Sequence, residues 1–133
     1  MGHISFNHSQ RLIRLPIKVE SINGGNYRDL IVALDTGSSD TSIPTKIASG
    51  LGYDLSNPKQ VVLLTTGSGI LPAKIITVRK LTAIGETVEN IDVLCHDLPI
   101  GSTIDGVLGL NFLSHFDIKI SFSTGIIELY STE

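Results

Sequence analysis

The stretch LIVALDTGSS (residues 30–39) takes an apolar strand directly into an acidic turn. Carboxylates are rarely placed at the end of a buried strand unless hydrogen-bond donors surround them. Here the backbone N–H groups and hydroxyls of Thr36, Gly37 and Ser38 can donate to Asp35 and hold its carboxylate in a dry site suited to acid–base chemistry. The plainer interpretation is a strand that ends in an Asx turn. This stretch alone does not decide between the two.

The rest of the chain mostly alternates apolar and polar residues with a period of two, and glycines mark regular turns. The pattern predicts strands over 12–22, 27–34, 61–65, 70–81, 87–95, 118–122 and 126–130. Hairpin turns are predicted at 23–26, 66–69 and 123–125. One or two helical turns are expected within 43–51, and 109–116 is the best helix candidate. Many short strands with tight turns indicate a small all-β barrel or sandwich.

Composition limits the classes of function. A chain of 133 residues is expected to form one domain. Ten Lys and Arg against thirteen Asp and Glu give a net charge of −3, which argues against a nucleic-acid binder. Hydrophobic residues make up 41% of the chain and charged residues 17%, so the chain is too apolar to be disordered. We expect part of its surface to be buried against a partner.

The sequence does not specify a cellular location. The single cysteine, Cys95, cannot form an intrachain disulfide, so a reducing compartment is allowed. No apolar run approaches the roughly 18 residues of a membrane span. Residues 1–10 lack the apolar stretch of a secretion signal; we take them as an N-terminal tail, whose Met1-Gly2-His3 start is typical of a cloning remnant. A cytoplasmic location is favoured, and a periplasmic or membrane-tethered parent protein is allowed.

A second informative segment is GVLGLNFL (residues 106–113), an apolar-apolar-glycine element that runs into the helix candidate. By itself it is typical of a buried strand whose glycine lets two backbones approach closely. The combination of the two segments is more specific. The motif Asp35-Thr36-Gly37-Ser38, followed later by Val107-Leu108-Gly109 with Asn111 and Leu113, resembles the retropepsins, the single-domain aspartic proteases of retroviruses and their bacterial and eukaryotic relatives. Pepsin-like enzymes carry this pair of elements twice in one chain, and the present chain carries it once.

The resemblance extends over residues 12–130 and implies a fold. That fold is a small closed, mostly antiparallel acid-protease barrel with one short helix, assembled as a symmetric homodimer. A retropepsin-like protease domain is therefore expected over residues 11–133. The dimer contacts are expected at Thr36 and at terminal strands such as 126–130.

The resemblance also implies roles for individual residues. Asp35 would be the catalytic acid, and the Thr36 hydroxyl would reach the matching loop of the partner. Gly37 would let the substrate backbone approach the acids, and Ser38 would donate a hydrogen bond to the carboxylate. The flap, a hairpin that closes over substrate, corresponds by position to Thr65, Thr66, Gly67, Ser68, Gly69 and Ile70. The second motif corresponds to Val107, Leu108 and Gly109.

Three departures from the family pattern are visible. Retroviral members often have an acidic residue where Ser39 stands and pair it with an arginine where Leu110 stands. Both partners are missing here, so the ion pair is replaced as a unit rather than half broken. The flap tyrosine of the pepsin-like enzymes is also absent. Asp40, which follows the first motif, is either an exposed turn residue or a ligand for substrate backbone.

Peptide hydrolysis by this route needs two carboxylates facing one water, one ionised and one protonated. Asp105 lacks the hydroxyl–glycine setting of Asp35, so the second acid must come from an identical chain across a two-fold axis. The sequence thus predicts an aspartic endopeptidase that acts as a homodimer on an extended peptide or protein substrate and needs no cofactor. The alternative is a catalytically silent dimeric peptide-binding or dimerisation module. The retained Asp-Thr-Gly-Ser favours the enzyme.

Motifs of other functional classes, such as nucleotide-binding loops and zinc sites, do not match this sequence in their spacing. The segment Gly67-Ser68-Gly69 lacks the third glycine of a dinucleotide-binding loop. Cys95 is interpreted as a core residue rather than a nucleophile. No metal is expected, because no zinc-ligand spacing is found among the four histidines, which are His3, His8, His96 and His115.

Overall fold

A computed structural model describes residues 1–132, and they form ten strands and two short helices. The strands are β1 (Gly2–Ser5), β2 (Arg14–Glu20), β3 (Tyr27–Leu34), β4 (Thr41–Ile43), β5 (Gln60–Thr66), β6 (Gly69–Ala83), β7 (Glu86–Cys95), β8 (Gly106–Leu108), β9 (Phe116–Ser121) and β10 (Ile126–Ser131). The helices are α1 (Thr45–Gly50) and α2 (Leu110–Leu113). The all-β prediction is confirmed. The resemblance implies one short helix, and the structure has two, of which α1 lies within the stretch 43–51 where helical turns are expected. No helix within residues 1–132 has the length and apolarity needed to cross a membrane.

Six strands close into a barrel in the order β2-β3-β8-β4-β7-β6, and a β2–β6 pairing completes the ring. Most neighbours are antiparallel, but β3–β8 and β4–β7 are parallel. Parallel neighbours need long crossover connections, so these pairs join segments that are far apart in the chain. The barrel is therefore what brings the two sequence motifs to the same place. Within the described chain, strand β5 pairs with β6 alone, so the β5–β6 hairpin extends the sheet beyond the closed ring.

A second sheet has the order β1-β10-β9. Residues 2–5, which the sequence places in a tail, thus form a strand along β10. Gly2 is required at this position, because a Cβ there would collide with the carbonyl oxygen of Ile84 in the β6–β7 turn. Strand β10 already has a neighbour on each edge, so its backbone is not available to extend a sheet into a partner.

The core forms because alternate residues of each strand point inward. On β2, Leu15, Ile17 and Val19 are at most 1% exposed, while Arg14 faces out. Phe112 of α2 is fully buried and lies three residues after Gly109 of the second motif. Truncating a buried phenylalanine to alanine typically lowers the free energy of unfolding by about 3–5 kcal/mol. The single turn of α2 therefore anchors this end of the barrel despite its length.

The boundaries differ from the sequence prediction mainly around α2. The helix expected over 109–116 contains only Leu110–Leu113, because Phe116 already begins β9 and pairs with Ser131. The three predicted hairpin turns are all present, between β2 and β3, β5 and β6, and β9 and β10.

Candidate active site

The two sequence motifs lie side by side in the barrel. Parallel pairing sets Val32 opposite Gly106 and Leu34 opposite Leu108. The pairing continues one step past the strand, since the Asp35 N–H donates to the Leu108 carbonyl at 3.0 Å. Asp35 therefore emerges at the end of a strand that is fixed from the side by the second motif.

The loop after Asp35 is held by its own backbone. The Gly37 N–H donates to Asp35 Oδ1 at 2.9 Å, and the Ser38 N–H donates to the Asp35 carbonyl at 3.2 Å. This is the Asx-type turn that the sequence analysis gave as the plainer of its two interpretations. Asp35, Thr36 and Gly37 are all exposed in the single chain. A single chain therefore positions the carboxylate but does not enclose it in a dry site.

Ser38 has a different role from the one expected. Its hydroxyl donates to the Asp40 carbonyl at 2.8 Å. A hydroxyl has one proton to donate, so Ser38 cannot at the same time donate to Asp35. The Ser38 hydroxyl therefore stabilises the loop through a bond within the loop. The group that donates to the Asp35 carboxylate is the backbone N–H of Gly37.

The first turn of α2 fastens the loop from the other side. The N–H groups of Leu110 and Asn111 donate to the carbonyls of Ser38 and Ser39 at 2.8 and 3.2 Å. Gly109 permits this close approach, because a Cβ there would collide with the Asp40 carbonyl oxygen. The loop that follows Asp35 can therefore pack against the start of α2 only because residue 109 has no side chain.

A buried polar network supports the same loop. Thr41 is 0% exposed, and its hydroxyl accepts the Gly109 N–H at 3.1 Å and donates to Asn111 Oδ1 at 2.8 Å. Asn111 Nδ2 in turn donates to the Asp92 carbonyl at 2.6 Å. These bonds connect β4, β7 and α2 around the residues that position Asp35. Sequence reasoning noted Asn111 only through the resemblance and missed Thr41, whose one signal is a hydroxyl residue at the start of a short apolar strand.

Comparison with known proteins agrees with this arrangement. A family model described as aspartyl protease matches residues 18–112. The chain belongs to this family. A solved structure, the retropepsin-like aspartic protease from Rickettsia conorii, superposes with a TM-score of 0.68 and 25% sequence identity, covering 96% of this chain and 89% of that one. In all, 244 chains of solved structures match. A search of curated proteins found no match.

Asp105 lies beside Ile31, four residues before Asp35 in the chain, and its carboxylate accepts a hydrogen bond from the backbone there. Its N–H donates to the Ile31 carbonyl at 2.7 Å, and its Oδ2 accepts the Ile31 N–H at 2.9 Å. Both bonds extend the β3–β8 pairing. This structural use favours the expectation that Asp105 is not the second acid.

The structure also places the remaining chemical candidates. Burial raises the pKa of the Cys95 thiol to about 11, so the thiol is protonated at neutral pH and is a poor nucleophile. Among residues 1–132, no three His, Cys, Asp or Glu side chains cluster closely enough to hold a metal ion. A surface cavity of about 460 Å³ lies between the β2–β3 hairpin and strands β6 and β7, and none of the motif residues lines it.

Thr41→Val is expected to lower the free energy of unfolding by about 1–3 kcal/mol, because it leaves the buried Gly109 N–H and Asn111 Oδ1 without this partner. Urea denaturation measures the change. Thr87→Val is the matched control: Thr87 is an exposed strand residue whose hydroxyl bonds that of Thr82, and its replacement should change the stability by less than about 0.5 kcal/mol. Equal effects of the two substitutions would contradict a structural role for the network.

Proposed function

We propose that the chain is an aspartic endopeptidase that acts as a homodimer, with one Asp35 from each subunit. The observation that carries the proposal is the incomplete site. One chain presents a single exposed Asp35, whose carboxylate accepts the Gly37 N–H and whose own N–H donates to the Leu108 carbonyl. Since the reaction needs two acids around one water, a second copy supplies what one chain lacks.

Thr36 supports the same assembly. It is exposed, and its hydroxyl has no hydrogen-bond partner within the described residues 1–132. The hydroxyl is therefore free to bond the matching loop of the partner when two Asp35 loops meet. Such a bond would set the spacing of the two carboxylates.

In the assembled site the two Asp35 carboxyls share one proton, because two charged carboxylates at such short range repel. The ionised carboxylate takes a proton from the attacking water. As the water oxygen bonds to the substrate carbonyl carbon, the protonated carboxyl donates its proton to the carbonyl oxygen. The proton taken from water then passes to the leaving amine as the peptide C–N bond breaks. The Gly37 N–H, which already donates to Asp35 Oδ1, keeps the carboxylate oriented through the cycle.

The test is cleavage of a broad library of peptides by the wild-type protein, followed by mass spectrometry, over a range of pH. The proposal expects cleavage with a bell-shaped pH profile on the acidic to neutral side, since only the singly ionised pair is active. Absence of cleavage across the library and the pH range would overturn it in favour of a silent peptide-binding module.

The β5–β6 hairpin is proposed as the flap. Its tip is held only by local bonds within the described chain: Thr66 Oγ1 donates to the Gly69 carbonyl at 3.0 Å and accepts the Ser68 N–H at 3.2 Å. Leu63 and Ile70, on its strands, are 72% and 66% exposed. A hairpin with so few buried contacts is suited to opening and closing over a substrate.

Amide hydrogen exchange should therefore be faster at residues 66–69 than at residues 30–34 in the free protein. The latter segment pairs with β2 and includes Val32, which is 0% exposed. Exchange at the tip that is as slow as in β3 would contradict a mobile flap.

A further inference from the structure

Arg14 lies close to the proposed catalytic acid on the same wall of the barrel. It pairs with Ala33, two residues before Asp35, and the neighbouring Ile13 carbonyl accepts the Leu34 N–H at 2.9 Å. Because paired residues of neighbouring strands share a face, Arg14 and Ala33 point to the same side of the sheet. Asp35 follows the last residue of β3 by one position, where its N–H continues the pairing with Leu108. Strand geometry sets the Arg14 Cα about 9 Å from that of Asp35.

Two cavities that share Arg14 form a groove on the surface. One cavity of about 350 Å³ is lined by Asn7, Gln10, Arg14, Leu15, Pro16 and Ile31. A second, of about 210 Å³, shares Gln10 and Arg14 and reaches Thr103 in the loop before β8, with Arg11 and Leu12 completing its lining. The groove thus connects the start of β2 with the segment that leads into the second motif.

The groove carries uncompensated positive charge. Arg11 and Arg14 are both exposed, and neither has a carboxylate within ion-pair distance among residues 1–132. In contrast, Lys59 pairs with Asp92 of β7, and Arg79 of β6 pairs with Glu20 of the neighbouring β2. A guanidinium binds a carboxylate through two parallel hydrogen bonds, so two unpaired arginines in one groove match acidic side chains.

We infer that Arg11 and Arg14 bind an acidic side chain of the peptide substrate and so determine part of its specificity. The inference rests on the proposed function. An extended peptide rises about 3.3 Å per residue. Given the offset of about 9 Å and the length of an arginine, the acidic residue is expected three or four positions from the scissile bond. The two-fold axis of a homodimer would present one such groove on each side.

The experiment measures binding and cleavage separately. Binding uses full-length Asp35→Asn protein and fluorescein-labelled peptides with an apolar centre, in which one residue at a time is Glu or Gln. Fluorescence anisotropy is expected to give about tenfold tighter binding for Glu than for Gln at the third or fourth position from the centre. The preference should weaken as salt is raised, because the groove is exposed.

The matched variants are Arg11→Glu/Arg14→Glu and, as control, Arg28→Glu. Arg28 is also exposed and has no ion-pair partner among residues 1–132, but it lies at the start of β3, about 23 Å of strand from Asp35. The double variant should lose or reverse the preference for Glu, and the control should keep it. With wild-type protein the preference should appear as a lower KM for Glu peptides at similar kcat.

Equal binding of Glu and Gln peptides at every position, or no peptide binding at all, would overturn the inference. So would a double variant that keeps the preference for Glu, whether or not it still dimerises in sedimentation. A Glu preference in binding without any cleavage by wild-type protein would leave this groove established and refute the proposed protease.

Discussion

Asp35→Asn is expected to abolish peptide cleavage, lowering kcat by about 10⁴-fold or more, because both copies of the acid are lost in a homodimer. An amide can neither accept the proton of the attacking water nor share a proton with its twin. The fold should survive, since the side-chain oxygen of the introduced asparagine can still accept the Gly37 N–H that Asp35 Oδ1 accepts now. Thermal unfolding and sedimentation of the variant check that only the chemistry has changed.

Asp105→Asn is the control for this experiment. Asp105 is the acid directly before β8, and its carboxylate accepts the Ile31 N–H, which an asparagine oxygen can also do. We expect this variant to keep most of its activity. Wild-type rates in Asp35→Asn would refute the mechanism, and loss of activity in Asp105→Asn alone would identify Asp105 as the acid instead.

The second large effect concerns assembly. Sedimentation equilibrium at micromolar concentration is expected to show a species of twice the 14.3 kDa chain mass. The physical reason is the exposed site together with apolar surface beside it: Leu110 is 42% exposed, and its N–H is bonded to the Ser38 carbonyl of the Asp35 loop. Activity per mole of chain should rise with concentration through the same range.

Leu110→Glu should weaken this dimer by about 100-fold or more, because a charge would be buried at the contact without a partner. Ile100→Glu is the control, since Ile100 is fully exposed in the loop before β8 and should leave the dimer intact. A well-folded wild-type monomer at high concentration would refute both the dimer and the two-acid mechanism.

The structure changes one expectation about how the subunits would meet. The strand over residues 126–130 is expected to join the dimer, but β10 is the central strand of its sheet, and Ile127 and Leu129 are 0% exposed. Its backbone and its inner face are used within the chain. Any contribution to an interface must come from its outer face, which carries Ile126, Glu128 and Tyr130.

The sequence by itself determined the features that depend on neighbours in the chain. The Asp35 turn follows from an acid two residues before a glycine N–H, and the hairpins follow from alternation interrupted by turn residues. The family motifs are also local patterns. These features were readable because the groups that interact are only a few residues apart.

Only the tertiary structure decided which distant groups support the site. Thr41 bonds Gly109 and Asn111 across separations of 68 and 70 residues. Strand β1 pairs with β10 from the opposite end of the chain. A buried donor or acceptor must be satisfied by whatever polar group the fold brings to it. Barrel closure and the parallel pairing of β3 with β8 determine which group that is. Neither feature can be recognised from a local sequence pattern.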